Sequence, residues 1–285
     1  MQILYNEPLK NHTTYKIGGI TSKMYIVEEL NDFKIIPDDV LQNAYILGAG
    51  SNILVSDNGV NKPVIKIALN NILQIKEYLY FFESGINLST LGKFTAMYGY
   101  DNLIGISGIP GLIGGAITMN ASASKGSISD YLETVYVIDR TSRKEIKFNK
   151  KDCQFSFRES IFKNNDKYII IGASFNLKKN ILSPVTTMSN YLQVKKYRLE
   201  NYPLTFSSAG CCFKGDWGKK DVIEKINMVS KIEGDAIVSP MFPAFILNMG
   251  KATAKDVMTL IKKIQTKALI IGEQMPLEII TWGEI

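Results

Sequence analysis

Short apolar runs separated by glycine, asparagine and aspartate make up most of the first 180 residues. Runs of this kind, bounded by turn-forming residues, are typical of β-strands. The pattern predicts strands at residues 44–47, 53–56, 63–68, 75–84, 132–139, 145–148 and 168–176. Two helices are predicted within this part of the chain, one at residues 87–97 and one that begins near Gly111.

The pattern becomes more helical in the remainder of the chain. Helices are predicted at residues 186–198, 220–232 and 253–266, and a strand is predicted at residues 275–282. Thr253 and Asp256 have the spacing of a capping box at the start of the last helix. The apolar face of that helix has helical spacing and consists of Val257, Leu260, Ile261 and Ile264. We therefore expect an α+β fold, with a β-rich N-terminal portion and a smaller αβ portion joined around residues 177–184.

The composition is that of a globular protein with few groups that bind transition metals. The 285 residues are 46% hydrophobic and 21% charged, which is enough to bury a substantial core. Because His12 is the one histidine in the sequence, zinc and iron sites that need two or three histidines from one chain are excluded. Metal-independent chemistry is favoured, and no metal is expected. His12 itself could act as a base, although a turn that it caps with Asn11 and Thr13 is favoured.

Charge and cysteine content bear on partners and compartment. The 33 Lys and Arg residues against 27 Asp and Glu residues give a net charge of +6, but the basic residues are dispersed, which favours a solvated surface. We expect a monomer without a nucleic-acid partner. Three cysteines, two of them adjacent, are a poor disulfide framework and indicate the cytoplasm. The uncharged stretch at residues 102–124 is interrupted by glycines and Pro110, so no membrane insertion is expected.

A glycine-rich loop, Gly48-Ala49-Gly50-Ser51-Asn52, lies between two predicted strands. Glycine allows backbone N–H groups to approach a phosphate closely, and the Ser51 and Asn52 side chains can add hydrogen bonds. The third glycine and the following helix of a dinucleotide-binding fingerprint are missing. A phosphate-binding loop and an ordinary turn both stay open as interpretations.

Glycine also recurs at every third position from Gly105 to Gly114, and Gly115 follows directly. So many glycines are costly in chain entropy unless the backbone passes close to another group. One such group is an extended anion such as a dinucleotide pyrophosphate, with the segment from Gly111 onward supplying a helix N-terminus. A tight turn between helix and sheet is the alternative. Asn120 adds one polar side chain that can reach a ligand.

Arg158 lies in a segment with aromatic residues on both sides, Phe157 and Phe162. An arginine held in this way can bind a carboxylate through two parallel hydrogen bonds. The alternative is a surface arginine that stacks on a ring without a ligand.

Cys211 and Cys212 lie in a turn of small residues, and Cys212 is two positions before Lys214. A thiol has a reference pKa of about 8.5, so it can donate a proton near neutral pH. The alternative is an inert thiol, and one of the two is expected to face apolar packing. Glu278 lies in a predicted apolar strand, where a carboxylate is paired, functional or on the wet face of the strand.

Taken in this order, the motifs resemble one family closely, UDP-N-acetylenolpyruvoylglucosamine reductase, a flavoenzyme of peptidoglycan synthesis. The matching segments extend over almost the whole chain, so chance agreement is excluded. They are NHTTYKIGG at 11–19, LGAGSNILVSDNG at 47–59, GIPGLIGGAITMNA at 108–121, FRESIF at 157–162, SAGCCFK at 208–214, ATAKDV at 252–257 and MPLEIITWG at 275–283.

The resemblance implies an FAD-binding fold of the vanillyl-alcohol-oxidase type. It consists of one FAD-binding subdomain at residues 1–67, a second at 68–182 and a substrate-binding domain at 183–272, with residues 273–285 returning to the site. The residues that match the family's FAD contacts are Gly48, Gly50, Ser51, Asn52, Gly108, Ile109, Pro110, Gly111, Gly114, Gly115, Asn120 and Ala121.

The resemblance also implies a reaction in two halves. NADPH reduces FAD, and hydride then passes to C3 of UDP-N-acetylglucosamine-enolpyruvate, which becomes UDP-N-acetylmuramate on protonation at C2. Arg158 and a protonated Glu278 match the pair that stabilises the enolate. Cys211 stands where the family usually has the serine that gives the proton, and Lys214 matches a substrate contact.

The chain departs from the family pattern at several positions. Gly215, Asp216 and Trp217 replace a lysine-asparagine-proline or lysine-arginine-proline sequence, and Pro276 replaces the first glutamate of the terminal motif. Two other functions therefore stay open. One is a different FAD oxidoreductase of the same fold, and the other is an inactive flavin-binding regulatory protein.

Overall fold

Helices and strands both occur along the whole length that the computed structural model describes, residues 1–123 and 126–285. Ser124 and Lys125 lie outside the described residues, and with them the last position of the predicted uncharged stretch. The strands are β1 (Gln2–Pro8), β2 (Ile20–Val27), β3 (Tyr45–Leu47), β4 (Ile53–Val55), β5 (Val64–Ile67), β6 (Ile72–Lys76), β7 (Leu79–Glu83), β8 (Ser122–Ala123), β9 (Gly126–Ser127), β10 (Leu132–Asp139), β11 (Glu145–Asn149), β12 (Tyr168–Asn176), β13 (Ile232–Glu233), β14 (Ala236–Val238), β15 (Ile246–Asn248) and β16 (Ile280–Trp282). The α-helices are α1 (Asp38–Asn43), α2 (Leu88–Met97), α3 (Ile113–Thr118), α4 (Pro184–Asn201), α5 (Lys220–Lys225) and α6 (Ala254–Ile270). This content confirms the α+β prediction.

The chain divides into two compact units, each assembled from separate stretches of sequence. Unit 1 consists of Met1–Ile3, Met24–Gly48 and Pro63–Tyr197. Unit 2 consists of Leu4–Lys23, Ala49–Lys62 and Arg198–Ile285. Among the described residues, no helix combines the length and the apolar content needed to cross a membrane.

The first sheet has the strand order β1, β2, β5, β3, and its last three strands form a parallel ladder. The middle strand of this ladder aligns Val64 with Met24 on one side and with Tyr45 on the other. Ile65 and Ile67 are buried because a parallel strand covered on both faces needs a nearly continuous apolar run. Apolar residues of α1 complete the core of this sheet.

The second sheet of unit 1 is antiparallel, with the strand order β11, β10, β12, β7, β6. Its core is shared with α2 and α3, through residues such as Leu91 and Ile117. The single strand predicted at residues 75–84 is wrong, because two strands, β6 and β7, form a hairpin there. Tyr78, which lies between them, has a left-handed backbone with φ of 60°, and this turn reverses the chain.

Unit 2 contains the three-stranded antiparallel sheet β13-β14-β15 and the two-stranded parallel sheet β16-β4. The apolar face of α6 joins the core of this unit, as its spacing predicted. The predicted capping box is also confirmed. The Asp256 N–H donates to the Thr253 hydroxyl at 3.1 Å, and the Thr253 N–H donates to the Asp256 carboxylate at 2.9 Å.

The helix predicted at residues 220–232 is wrong beyond Lys225, where α5 ends. Asn227 and Ser230 have φ of 56° and 60°, which are left-handed conformations that a helix cannot continue through. The chain then enters β13 at Ile232.

The strand predicted at residues 275–282 is also too long, since β16 covers only Ile280–Trp282. Pro276 has no N–H to give to a sheet. Glu278 precedes the strand, and its N–H donates to the Cys212 carbonyl at 2.8 Å. The prediction that Glu278 lies inside a strand is therefore wrong.

Candidate functional site

The glycine-rich segment of unit 1 folds into a tight turn followed by the short helix α3. The Gly111 carbonyl accepts from the Leu88 N–H at 3.0 Å, which fixes the turn against the start of α2. The first two N–H groups of α3, from Ile113 and Gly114, donate to the Ile86 and Ser84 carbonyls at 2.9 Å each. Both N–H groups thus donate to the protein's own backbone, whereas the sequence pattern predicts a helix N-terminus that binds an anion.

Two glycines of unit 1 have room where a side chain would stand. A Cβ added at Gly115 would have nothing within 4 Å, and one at Gly48 would meet only the Leu112 side chain, at 3.6 Å. By contrast, a Cβ at Gly114 would lie 3.1 Å from the Ser84 Cβ. Packing within the protein therefore explains the glycine at 114 but not those at 48 and 115, where a Cβ would occupy space that a ligand can use.

Buried polar atoms next to this segment are unpartnered. Within residues 1–123 and 126–285, the Ser84 hydroxyl and the Asn120 Oδ1 have no hydrogen-bond partner. Asn120 has a left-handed φ of 42°, and its Nδ2 donates to the Ser156 carbonyl at 2.9 Å, so the side chain is held in place. A buried polar atom without a partner is unfavourable by about 1–3 kcal/mol, and a ligand with hydrogen-bonding groups removes that cost. Open glycines and orphaned polar atoms together fit FAD.

Ser84 was missed by the sequence analysis. It follows directly after β7, and its N–H donates to the Ile171 carbonyl at 2.9 Å. Nothing in its local sequence distinguishes it from an ordinary residue at a strand end, because only the folded chain brings it next to Gly114.

The remaining predicted FAD contacts lie at different levels of burial. Asn120 and Ala121 are buried, Gly108 and Ile109 are half-buried, and Pro110 is exposed. Ser51 and Asn52 of unit 2 are half-buried.

Arg158 of unit 1 shows features of both of its proposed interpretations. Its guanidinium lies 5.3 Å from the centre of the Phe157 ring, and Nη1 donates to the Ser122 hydroxyl at 2.8 Å. The backbone at Arg158 is left-handed, with φ of 57°, and its carbonyl accepts from Lys163 Nζ at 2.9 Å. The half-buried side chain is thus fixed by a ring and a hydroxyl group.

The Gly50 loop in unit 2 is tightly bound to the N-terminal motif. Gly50 has φ of 63°, and a Cβ there would lie 2.3 Å from the His12 carbonyl oxygen, so only glycine fits. The Thr14 N–H and hydroxyl both donate to the Gly50 carbonyl, at 3.2 and 3.3 Å. The glycine at 50 is therefore explained by a close approach of the protein to itself.

His12 pairs with Glu7 through a contact of 2.8 Å between Nε2 and Oε1. The sequence did not predict this contact, and the turn that His12 caps with Asn11 and Thr13 stays a prediction. The Thr13 hydroxyl donates to the Ile17 carbonyl at 3.1 Å.

The segment with the adjacent cysteines lies between two other stretches of unit 2. The Cys212 N–H donates to the Ala244 carbonyl at 2.9 Å, and the Cys212 carbonyl accepts from Glu278. The Lys214 N–H donates to the Pro276 carbonyl at 2.8 Å. Within unit 2, the predicted residues Cys211, Lys214 and Glu278 are thus brought together along one stretch of paired backbone.

The two thiols have different surroundings. Cys212 is fully buried in the apolar core of unit 2, as predicted for one of the pair, whereas Cys211 is half-buried. Burial raises the pKa of Cys212 to about 11. Cys212 therefore stays a neutral thiol near pH 7, and Cys211 is the accessible member of the pair.

Two family models match the chain. A model described as "FAD binding domain" matches residues 42–143. A model described as "UDP-N-acetylenolpyruvoylglucosamine reductase, C-terminal domain" matches residues 202–273.

Curated proteins of one name are similar to this chain over nearly its full length. The chain is 35% identical to UDP-N-acetylenolpyruvoylglucosamine reductase of Clostridium kluyveri, covering 93% of this chain and 88% of that one. It is 34% identical to the protein of that name from Pseudothermotoga lettingae, covering 99% and 98%. It also resembles the crystal structure of UDP-N-acetylenolpyruvylglucosamine reductase from Thermus caldophilus, with a TM-score of 0.82, 28% identity and coverage of 99% and 98%.

Proposed function

Since the chain belongs to the UDP-N-acetylenolpyruvoylglucosamine reductase family, we propose that it reduces UDP-N-acetylglucosamine-enolpyruvate to UDP-N-acetylmuramate with NADPH as the reductant. It is an oxidoreductase of peptidoglycan synthesis, and FAD is its cofactor. The predicted fold, an FAD-binding region followed by the C-terminal domain of this family, is confirmed.

The bound cofactor would supply the hydride chemistry that links NADPH to C3 of the enolpyruvyl group. Its proposed contacts on this chain are the open backbone at Gly48 and Gly115 and the unpartnered polar atoms of Ser84 and Asn120. These groups bind and orient the cofactor, and the reaction also needs a group that stabilises negative charge and one that supplies a proton.

Arg158 is proposed to bind the carboxylate of the enolpyruvyl group. Addition of hydride at C3 moves an electron pair onto this carboxylate as an enolate. A guanidinium forms charge-assisted hydrogen bonds that strengthen as that charge develops. The contacts of Arg158 with Phe157 and Ser122 support this role, because they hold the side chain in one orientation before the substrate arrives.

Glu278 is proposed to share in this stabilisation as a neutral carboxylic acid that donates a hydrogen bond to the enolate. Cys211 is proposed to supply the proton. The proton moves from Cys211 Sγ to C2, so that hydride and proton together saturate the carbon–carbon double bond, and water then reprotonates the thiolate. Lys214 is proposed to contact the substrate, as its match to the family motif implies.

One observation carries this proposal more than any other. The hydrogen bond from the Glu278 N–H to the Cys212 carbonyl, at 2.8 Å, brings the backbone of Glu278 next to that of the two cysteines, and Cys211 is the more exposed of that pair. A different FAD oxidoreductase of the same fold would have no need for this combination. We also propose that the protein is in the cytoplasm, and the reduced state of its three cysteines supports that location.

The function is tested with the purified protein and added FAD. We expect a flavin absorption spectrum, oxidation of NADPH that depends on UDP-N-acetylglucosamine-enolpyruvate, and a product whose mass is that of the substrate plus two hydrogens. A protein that does not bind FAD contradicts the assignment. If NADPH is oxidised at the same rate without the substrate, the protein is a different flavin oxidoreductase.

A further inference from the structure

Asn52 makes two hydrogen bonds to the terminal segment that carries Glu278. Its Nδ2 donates to the Glu278 carbonyl at 3.1 Å, and its own carbonyl accepts from the Ile280 N–H at 2.9 Å. All three residues belong to unit 2. The sequence analysis assigned Asn52 only to cofactor binding, but its side-chain amide is directed to the backbone of the proposed catalytic glutamate.

The loop that carries Asn52 is itself fixed. Gly50 lies against the His12 carbonyl, and Thr14 donates twice to the Gly50 carbonyl. The Thr14 hydroxyl also donates to the Ser208 carbonyl at 2.6 Å, three residues before Cys211. Asn52 therefore extends from a rigid support, and that support also holds the segment of the proposed proton donor.

Glu278 lies where the regular strand has not yet begun. Its N–H donates to Cys212 and its carbonyl accepts from Asn52, whereas β16 starts two residues later, at Ile280. A residue outside a regular ladder depends on such single hydrogen bonds for its orientation. The amide of Asn52 supplies one of them from a side chain, so a substitution can remove it without altering the backbone.

We propose that Asn52 is a positioning residue, which holds the Glu278 backbone so that its carboxyl group meets the enolate formed from the substrate. This inference rests on the proposed function, and it gives the motif at residues 48–52 a second role beside cofactor binding. Because Asn52 acts through Glu278 in the half-reaction that uses the substrate, its removal slows that half-reaction far more than the half-reaction that uses NADPH when FAD is saturating.

The chain offers a matched control in the same terminal segment. Gln265 Nε2 donates to the Met275 carbonyl at 2.9 Å, which is also a bond from a side-chain amide to a backbone carbonyl. Met275 lies three residues before Glu278, and Gln265 makes no hydrogen bond to the Glu278 backbone. General loosening of the segment would follow from either substitution, whereas loss of positioning would follow only from a substitution at Asn52.

The experiment compares wild type, Asn52→Ala, Asn52→Asp and Gln265→Ala, each with saturating FAD. The two half-reactions are followed separately without oxygen, and hydrogen exchange of the backbone around residues 277–282 is measured without substrate. We expect Asn52→Ala to slow oxidation of the bound flavin by the substrate about a hundredfold, the effect of misplacing a group by about 1 Å. Reduction by NADPH should slow far less than that, and exchange near Glu278 should be faster.

Asn52→Asp keeps the size of the side chain but removes the donor, so it should share the defect even where Asn52→Ala folds poorly. Gln265→Ala should keep the rates of both half-reactions. The proposal is wrong if the Asn52 variants slow both halves equally, if they only weaken FAD binding, or if Gln265→Ala has the same effect. A wild type without substrate-dependent activity would instead contradict the proposed function, and unchanged exchange near Glu278 would refute the positioning role by itself.

Discussion

Cys211 and Cys212 carry the same side chain at adjacent positions, yet the folded chain gives the two thiols different surroundings. Cys212 packs with the buried residues of unit 2, and Tyr15 lies close enough to hydrogen-bond its thiol. The sequence predicted that one thiol would be inert. Only the resemblance to the family singled out the other, because burial is a property of the whole fold.

The raised pKa of Cys212 leads to a prediction about stability in alkali. Burial raises this pKa from 9.0 to about 11, so between these values the unfolded chain loses a proton that the folded chain retains. Cys212 therefore stabilises the fold fully below pH 9, and this contribution of about 3 kcal/mol is lost as the pH rises to about 11.

Cys212→Ala lacks this pH-dependent contribution. The free energy of unfolding, measured with urea from pH 8 to pH 11, should fall more steeply with pH in wild type than in the variant. Burial and the neighbouring Cys212 thiol both raise the pKa of Tyr15, so the difference between the two curves reports the loss of Cys212 together with its effect on Tyr15. Parallel curves would show that Cys212 is not shielded from solvent.

At the level of single elements, prediction worked where a local pattern determines the element. The capping box at Thr253 and the apolar face of α6 involve neighbouring residues, and both are confirmed. It failed at residues 75–84, where one apolar run continues through a reversal at Tyr78 that no glycine marks. The glycine-rich segments were found readily, but the sequence alone could not tell which glycines serve packing and which leave room for a ligand.

Gly115 and Gly114 offer a test of that distinction within α3. A Cβ at Gly115 meets nothing of the protein, so Gly115→Ala should keep or raise the stability of the unliganded protein, by up to about 1 kcal/mol. The same methyl group would occupy the proposed cofactor space and weaken FAD binding about tenfold, the effect of mild overpacking.

Gly114→Ala is the matched control, because its Cβ would lie 3.1 Å from Ser84 and strain the protein itself. We expect this variant to unfold at a lower temperature without FAD. Thermal melts with and without FAD, together with a titration of flavin fluorescence, separate the two effects. Unchanged FAD affinity in Gly115→Ala would remove this helix from the cofactor site.

Over the whole molecule, the fold joins segments that are far apart in the chain. The Tyr15 hydroxyl donates to the Ile246 carbonyl at 2.8 Å, so the motif at residues 11–19 meets β15 in unit 2. Asn52 donates to the Glu278 carbonyl, so the motif at residues 47–59 meets the terminal motif in the same unit. The resemblance to a family predicted the fold and the FAD cofactor. Local patterns could not predict these contacts, because each partner has an ordinary sequence context and the pairing depends on tertiary packing.

Cys211 is the residue proposed to give the proton that completes reduction of the substrate. The most direct measurement follows the two half-reactions separately in Cys211→Ala, with Cys212→Ala as the control. We predict that Cys211→Ala is reduced by NADPH at the wild-type rate, while the substrate oxidises its flavin about 10²–10⁴-fold more slowly, the usual contribution of a general acid. Equal slowing of both half-reactions, or a selective defect in Cys212→Ala instead, would contradict the claim.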